Sequence, residues 1–110
     1  MSKSSIITAR KSSKVALLRN PHAGEILFED FIKPMGLTQN GLARAIGVSP
    51  RRINEIIHGK RAVTADTDLR LARYFGMSDG FFSRLQIDYE LMERRRQIAV
   101  ELKTIRPRAA

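Results

Sequence analysis

Between Pro34 and Gly76, helix starts and helix stops fall so close together that this part of the chain can form only short helices. Thr38 can cap a helix with Leu42, Ala43 and Ile46 on one face, and Gly47 supplies the left-handed residue that ends it after about two turns. Val48 and Ser49 then make a turn. Ser49 caps again, Pro50 takes the first helical position, where its missing N–H costs nothing, and Gly59 closes the segment. Thr64 starts another helix that sets Leu69 beside Ala72 and Leu71 beside Phe75, and Gly76 terminates it. Two short helices joined by a glycine-containing turn restrict the fold severely, because neither can bury its apolar face without the other and without further helices behind them.

Those further helices are legible on both sides. After Pro21, Leu27 meets Phe31 and Phe28 meets Ile32 at four-residue spacing, and Pro34 disfavours helix at Lys33 and stops the run. Beyond Gly76, Ser78 or Asp79 opens a fifth helix carrying Phe81, Phe82, Leu85, Tyr89 and Met92, which continues through Glu93 to Arg96. The stretch "VELKTIRPRAA" has Pro107 and little periodicity, so residues 98–110 read as a tail. No strand pattern or internal repeat competes. The expectation is one all-α domain of five helices over residues 21–97, with a basic arm at residues 1–20 and a third helix at about 50–58.

Composition narrows the function. The 110 residues hold 20 Lys plus Arg against 11 Asp plus Glu, a net charge of +9, which favours a polyanionic partner such as nucleic acid. The absence of cysteine removes disulfides, thiolate zinc sites and cysteine nucleophiles together and fits a reducing cytoplasm. No stretch approaches the ~18 apolar residues that span a bilayer, and no signal-peptide core opens the chain, so no membrane association is expected. No glycine-rich phosphate loop or metal-ligand spacing appears, and the two histidines stand in separate short contexts. The reading is therefore of a non-enzyme without cofactor or metal.

The charge is unevenly placed. Lys3, Arg10, Lys11, Lys14 and Arg19 lie in the arm with five serines and no acid. The arm reads as a mobile, disordered extension, the alternatives being that it reaches a minor groove, follows phosphates or orders on a partner protein, with the apolar run Val15, Ala16, Leu17 and Leu18 as a docking element or the start of the domain. From Pro21 to Gly36 the acids Glu25, Glu29 and Asp30 outnumber Lys33, which marks a solvated face turned away from an anion. From Leu37 to Ala62 the cations Arg44, Arg51, Arg52, Lys60 and Arg61 face Glu55 alone.

The third helix lies inside that positive stretch. At about 100° per residue, Ile53, Ile56 and Ile57 share one side, while Arg51, Glu55 and His58 project from the other, flanked by Asn54 and Arg52. An ordinary amphipathic helix would look the same. A short helix, a turn and a second short helix presenting polar residues is also the geometry that places the second helix in a DNA major groove. Arg51 suits the bidentate contact to a guanine edge and Asn54 suits adenine. Glu55 can accept from cytosine or hold Arg51 in position. Gln39 and Ser49, at the heads of their helices, suit phosphates, and Arg44, Arg52, Lys60 and Arg61 add charge along the flanking backbone. His58 suits either DNA or the helix's own C-terminal dipole.

"TQNGLARAIGVSPRRINEIIHGKR", Thr38 to Arg61, resembles the helix-turn-helix core of Xre-type, lambda repressor-like domains. More narrowly, "HAGEILFEDFIKPMGLTQ", "INEIIHGKRAVTADTDLRLARYFG" and the "PRAA" ending resemble the HigA antitoxins of bacterial toxin–antitoxin modules over roughly residues 21–110. The resemblance implies a dimeric repressor of its own operon that binds double-stranded operator DNA and neutralises a HigB/RelE-type messenger-cleaving toxin. It places Gln39 and Ser49 on phosphates, Pro50, Arg51 and Glu55 nearest base edges, and Arg52 and Asn54 alongside. Phe81-Phe82 stands where related chains commonly have Phe-Trp, and the arm is longer than in many relatives.

A homodimer is also expected because one short recognition helix reads few base pairs, and two half-sites about 34 Å apart multiply the contacts. Phe81, Phe82, Leu85, Tyr89 and Met92 are the candidate dimer interface, packing of the fifth helix onto the first being the alternative. The competing functional readings are a helix-turn-helix regulator with no toxin partner and a protein-interaction module that keeps only the fold. RNA binding is disfavoured, since the aromatics available for base stacking fall at core spacing.

Overall fold

The computed structural model describes residues 19–109, so most of the arm, including Val15 to Leu18, lies outside the described residues. The described chain is helical, with no strand among the described residues. We label its helices α1 (Ala23–Ile26, continuing into a π-helical segment Leu27–Ile32), α2 (Gln39–Ile46), α3 (Pro50–Ile57), α4 (Ala65–Phe75), α5 (Phe81–Gln97) and α6 (Ala99–Thr104). The last of these occupies the segment expected to be a tail. Ile105 is already extended and Pro107 follows, so the helix stops early, and none of its residues is buried. No helix among the described residues is long and apolar enough to cross a membrane.

The expected caps form. Thr38 accepts a hydrogen bond from the Gly41 amide, Ser49 from Arg52 and Thr64 from Thr67, while Gly47 and Gly76 end α2 and α4 with positive φ. At Gly47 the Val48 amide reaches back to the Ala43 carbonyl at 3.0 Å, and Val48 packs on the core, so the turn between α2 and α3 is closed by both a hydrogen bond and an apolar contact.

Three local features depart from the sequence reading. His22 caps α1: its Nδ1 accepts from the Gly24 and Glu25 amides, and the Glu25 carboxylate accepts from the His22 amide in return. The second half of α1 widens into a π-helical turn, with the Lys33 amide bonded to the Phe28 carbonyl and the Leu37 amide to that of Ile32. Pro34 has no amide to continue α-helical bonding, and the wider period sets Leu27 and Ile32, five residues apart, both in the core. At α5 neither Ser78 nor Asp79 caps. Asp68, buried in α4 with 2% exposure, accepts from the Gly80 amide at 2.7 Å and the Ser83 amide at 2.8 Å. One carboxylate thus satisfies two free donors of α5 and ties it to α4.

A single core joins these helices: Ala23, Leu27 and Ile32 from α1, Leu42, Ala43 and Ile46 from α2, Ile53 and Ile56 from α3, Val63, Leu71 from α4, and Phe82 from α5. Leu69, expected beside Ala72, is half exposed, because α4 turns Thr67, Asp68, Leu71 and Ala72 inward instead. Phe31 bridges α1 to the other layers, its ring centroid 4.9 Å from that of Phe75 and 5.2 Å from that of Phe82. At the seam between α1 and α3 the backbones come so close that Gly24 has no room for a side chain. This contact fixes where α3 sits.

Candidate nucleic-acid interface

With Ile53 and Ile56 buried and Ile57 packed against the core beside them, the polar positions of α3 are left on its outer side. Pro50, Arg51 and Asn54 are exposed, and the Arg51 side chain keeps 84% of its free surface. Ser49 spends its hydroxyl on the Arg52 amide, which leaves the other first-turn donors of α3 open to solvent. Gln39, at the first position of α2, accepts a hydrogen bond from the Asn54 amide group at 3.1 Å. The two helices of the motif therefore meet through a polar side-chain pair on the outer surface as well as through their core.

Glu55 and the arginines around it form a fork. The Arg51 Nε donates to Glu55 Oε2 and the Arg61 Nε donates to Glu55 Oε1, both at 2.9 Å. These two hydrogen bonds, that of Arg51 first, hold the Glu55 carboxyl below its ordinary value of 4.5, so it stays ionised at neutral pH. The Glu55 side chain is only 21% exposed, and the arginines extend past it. Arg44 and Lys60 are exposed and have no ion-pair partner among the described residues.

Arg52 has a different environment from the one expected. Its guanidinium donates to the Asp66 carboxylate at 3.0 Å and approaches the Thr67 hydroxyl at 3.4 Å, linking α3 to the start of α4. Arg70 donates to the same Asp66 oxygen at 3.0 Å and to the Ile46 carbonyl at 2.8 Å, thereby capping the C-terminal end of α2. Hydrogen bonds from Arg70 and then Arg52 hold the Asp66 carboxyl below its ordinary 3.8. This tie between α4 and both helices of the motif had one local signal, Asp66 and Arg70 at i,i+4 spacing. The reach of Arg70 to Ile46 had none. The His58 Nδ1 lies 2.9 Å from the Asn54 carbonyl, so His58 belongs to the end of its own helix.

The acidic residues of α1 do not converge on one point. Glu25 pairs with Arg19 at 2.9 Å and Glu29 with Lys33 at 3.6 Å. Burial, and secondarily the Glu29 charge, raises the Asp30 carboxyl above its ordinary 3.8.

The five apolar residues assigned to a dimer contact divide differently. Phe82 is 0% exposed and has no surface to offer a second copy. Phe81 and Leu85 pack against the core, Phe81 edge-on to Phe82 with ring centroids 5.0 Å apart. Tyr89 is half-buried against the His22 ring, and its carbonyl accepts from Asn20. Met92 is half-buried too. The apolar side chains that α5 presents to solvent are Ile87 and Leu91, 51% and 54% exposed. Sequence spacing alone could not separate the stripe facing the chain's own core from the one beside it.

Known proteins share this arrangement. A helix-turn-helix family model matches residues 29–82. Virulence-associated protein I of Dichelobacter nodosus is 53% identical over 70 residues, which make up 64% of this chain and 65% of that protein. Antitoxin HigA-1 of Vibrio cholerae is 32% identical over 84 residues, 76% of this chain and 79% of the relative. The solved structure of the Pseudomonas aeruginosa antitoxin HigA with the higBA promoter superposes with a TM-score of 0.75 at 34% identity, over 83% of this chain and 100% of the other.

Proposed function

The chain belongs to the HigA antitoxin family of helix-turn-helix proteins, and on that premise we propose that it binds operator DNA sequence-specifically as a homodimer, represses its own operon and neutralises a HigB/RelE-type messenger-cleaving toxin in the cytoplasm. The observation that carries this reading is the outer face of α3, where Arg51 and Asn54 stand exposed on a helix anchored from behind by Ile53 and Ile56. Arg51 and Asn54 take the base edges. Gln39, Ser49, Arg44, Lys60 and Arg61 take the flanking phosphates, with Pro50 setting the approach of the helix. The reading involves no catalysis and no cofactor.

Arg52 supports this surface from the side, through Asp66, more than it faces outward. The dimer contact moves from the buried ring cluster to Ile87 and Leu91 on α5, whose apolar side chains would otherwise stay in water. Two copies joined there would present two recognition helices to half-sites about one turn of DNA apart.

The test is selection from a randomised duplex pool by the full chain at near-physiological salt. A two-fold symmetric motif with half-sites about 34 Å apart is the expected outcome. Salt-sensitive binding with no enriched motif would refute sequence-specific repression and leave only charge-driven contact.

A further inference from the structure

Glu55 lies on the recognition helix but is the least suited of its outer residues to touch a base. Its side chain is 21% exposed against 84% for Arg51 and 46% for Arg61, and each carboxylate oxygen is already occupied at 2.9 Å by an arginine Nε. Binding through Nε fixes the direction of each guanidinium. The terminal nitrogens of Arg51 and Arg61 have no hydrogen-bond partner among the described residues, so the two planar groups end free on the outer surface. A long, fully charged side chain otherwise loses rotamer freedom when it binds, and a residue that fixes it beforehand removes part of that cost.

We propose that Glu55 is a positioning residue for DNA recognition: it does not read a base but holds Arg51 and Arg61 as a pre-organised fork, one tine toward the base edges and the other toward the backbone. This rests on the DNA-binding reading given above. It also implies a trade. A carboxylate inside a positive surface repels every phosphate alike, so Glu55 weakens binding to arbitrary duplex while sharpening the choice of sequence.

The trade sets the experiment. Duplexes selected by the unmodified chain, and scrambled duplexes of the same length, are titrated with the unmodified chain, Glu55→Gln, Glu55→Asp, Arg51→Ala and the double variant Arg51→Ala with Glu55→Gln. Glutamine offers one acceptor where the carboxylate offers two, and aspartate is too short to span both arginines. Each is expected to bind scrambled duplex more tightly (Gln) or unchanged (Asp), with a gain for Gln of roughly threefold. Both should lose about tenfold in preference, at the same base pairs that Arg51→Ala relaxes. The double variant should be no less selective than Arg51→Ala alone.

Loss of preference at a different base pair, or an additive loss in the double variant, would make Glu55 a direct reader and overturn the proposal. So would unaltered preference in both Glu55 variants. Failure of the unmodified chain to select any sequence would overturn the DNA-binding reading itself, an outcome recognisable before any variant is measured.

Discussion

Replacing Gly24 by alanine would drive a methyl group into the backbone at the end of the recognition helix. A Cβ at this position would fall 1.8 Å from the Ile56 carbonyl oxygen, 2.6 Å from the Ile56 carbonyl carbon and 2.9 Å from the Ile57 Cα. All three are main-chain atoms, so no rotamer change relieves the overlap, and α1 and α3 must part by about 1.5 Å. A gap of ~0.5–1 Å already forfeits a quarter to a half of a contact's energy, so at ~1.5 Å at least about half is lost across the seam. Leu27, Ile53 and Ile56, fully buried and belonging to these helices, each contribute about 1.5–3 kcal/mol by burial. The loss is therefore about 3 kcal/mol, at the upper end of what overpacking costs in other cores. Thermal unfolding followed by far-ultraviolet circular dichroism should show Tm lowered by roughly 12–24 °C. Gly36→Ala is the control: its φ is +66° with nothing within 4 Å, so it should cost only about 1–2 kcal/mol of backbone strain. A Gly24→Ala variant as stable as Gly36→Ala would refute the claim that backbone contact at this seam seats α3.

Four more outcomes follow from the same structure. Arg51→Ala should cost about 1–3 kcal/mol on a selected duplex and relax one base-pair preference, whereas Lys60→Ala should weaken all duplexes alike and lower the salt slope by about one; equal behaviour of the two in a binding titration would refute the division of roles. Asp68→Ala should lose about 2–4 kcal/mol in denaturant unfolding, because the Gly80 and Ser83 amides lose their acceptor; a loss below about 0.5 kcal/mol would mean that water replaces it. Acid should destabilise the fold. The folded-state values of Glu25, Glu55 and Asp66 are depressed below their ordinary 4.5, 4.5 and 3.8; for Glu25, burial acts the other way but is outweighed by Arg19 and His22. Their contribution is present above those ordinary values and is lost as pH falls through the depressed ones, while raised Asp30 works in the opposite sense. Tm should therefore drop as pH falls below about 4.5, and a flat or rising profile would contradict the pairing. Leu91→Glu should yield a monomer by light scattering under conditions where the unmodified chain is a dimer; a dimer of undiminished strength would move the contact away from α5.

The residues that were legible in the sequence act within a few positions of themselves. Thr38, Ser49 and Thr64 cap the turn that follows them, Pro50 opens its helix, and Gly47 and Gly76 take positive φ where a helix stops. The inward isoleucines and outward polar residues of α3 follow from helical period alone. What escaped acts through distance or crowding. Asp68 caps a helix twelve residues downstream, Arg70 closes one that ended twenty-four residues before it, and Gly24 is small because of a carbonyl at Ile56. The ring stripe of α5 was ambiguous for a related reason. A second copy and the chain's own first helix make the same demand on Phe81 and Phe82, and only the position of Phe31 decides between them. Within the interface, residue identity was readable, whereas the partnership of Glu55 with two arginines depends on Arg61 folding back from beyond Gly59.

The seating of α3 has a consequence over evolutionary time. Its inner side chains are part of the common core, but Arg51 and Asn54 contribute almost nothing to it, and substitutions at such positions usually change stability by less than about 0.5 kcal/mol. Descendants of this chain can therefore sample new side chains there without first acquiring compensating changes elsewhere. Duplicated copies can diverge in address while keeping one architecture, and the backbone that carries the code outlasts any particular word written on it.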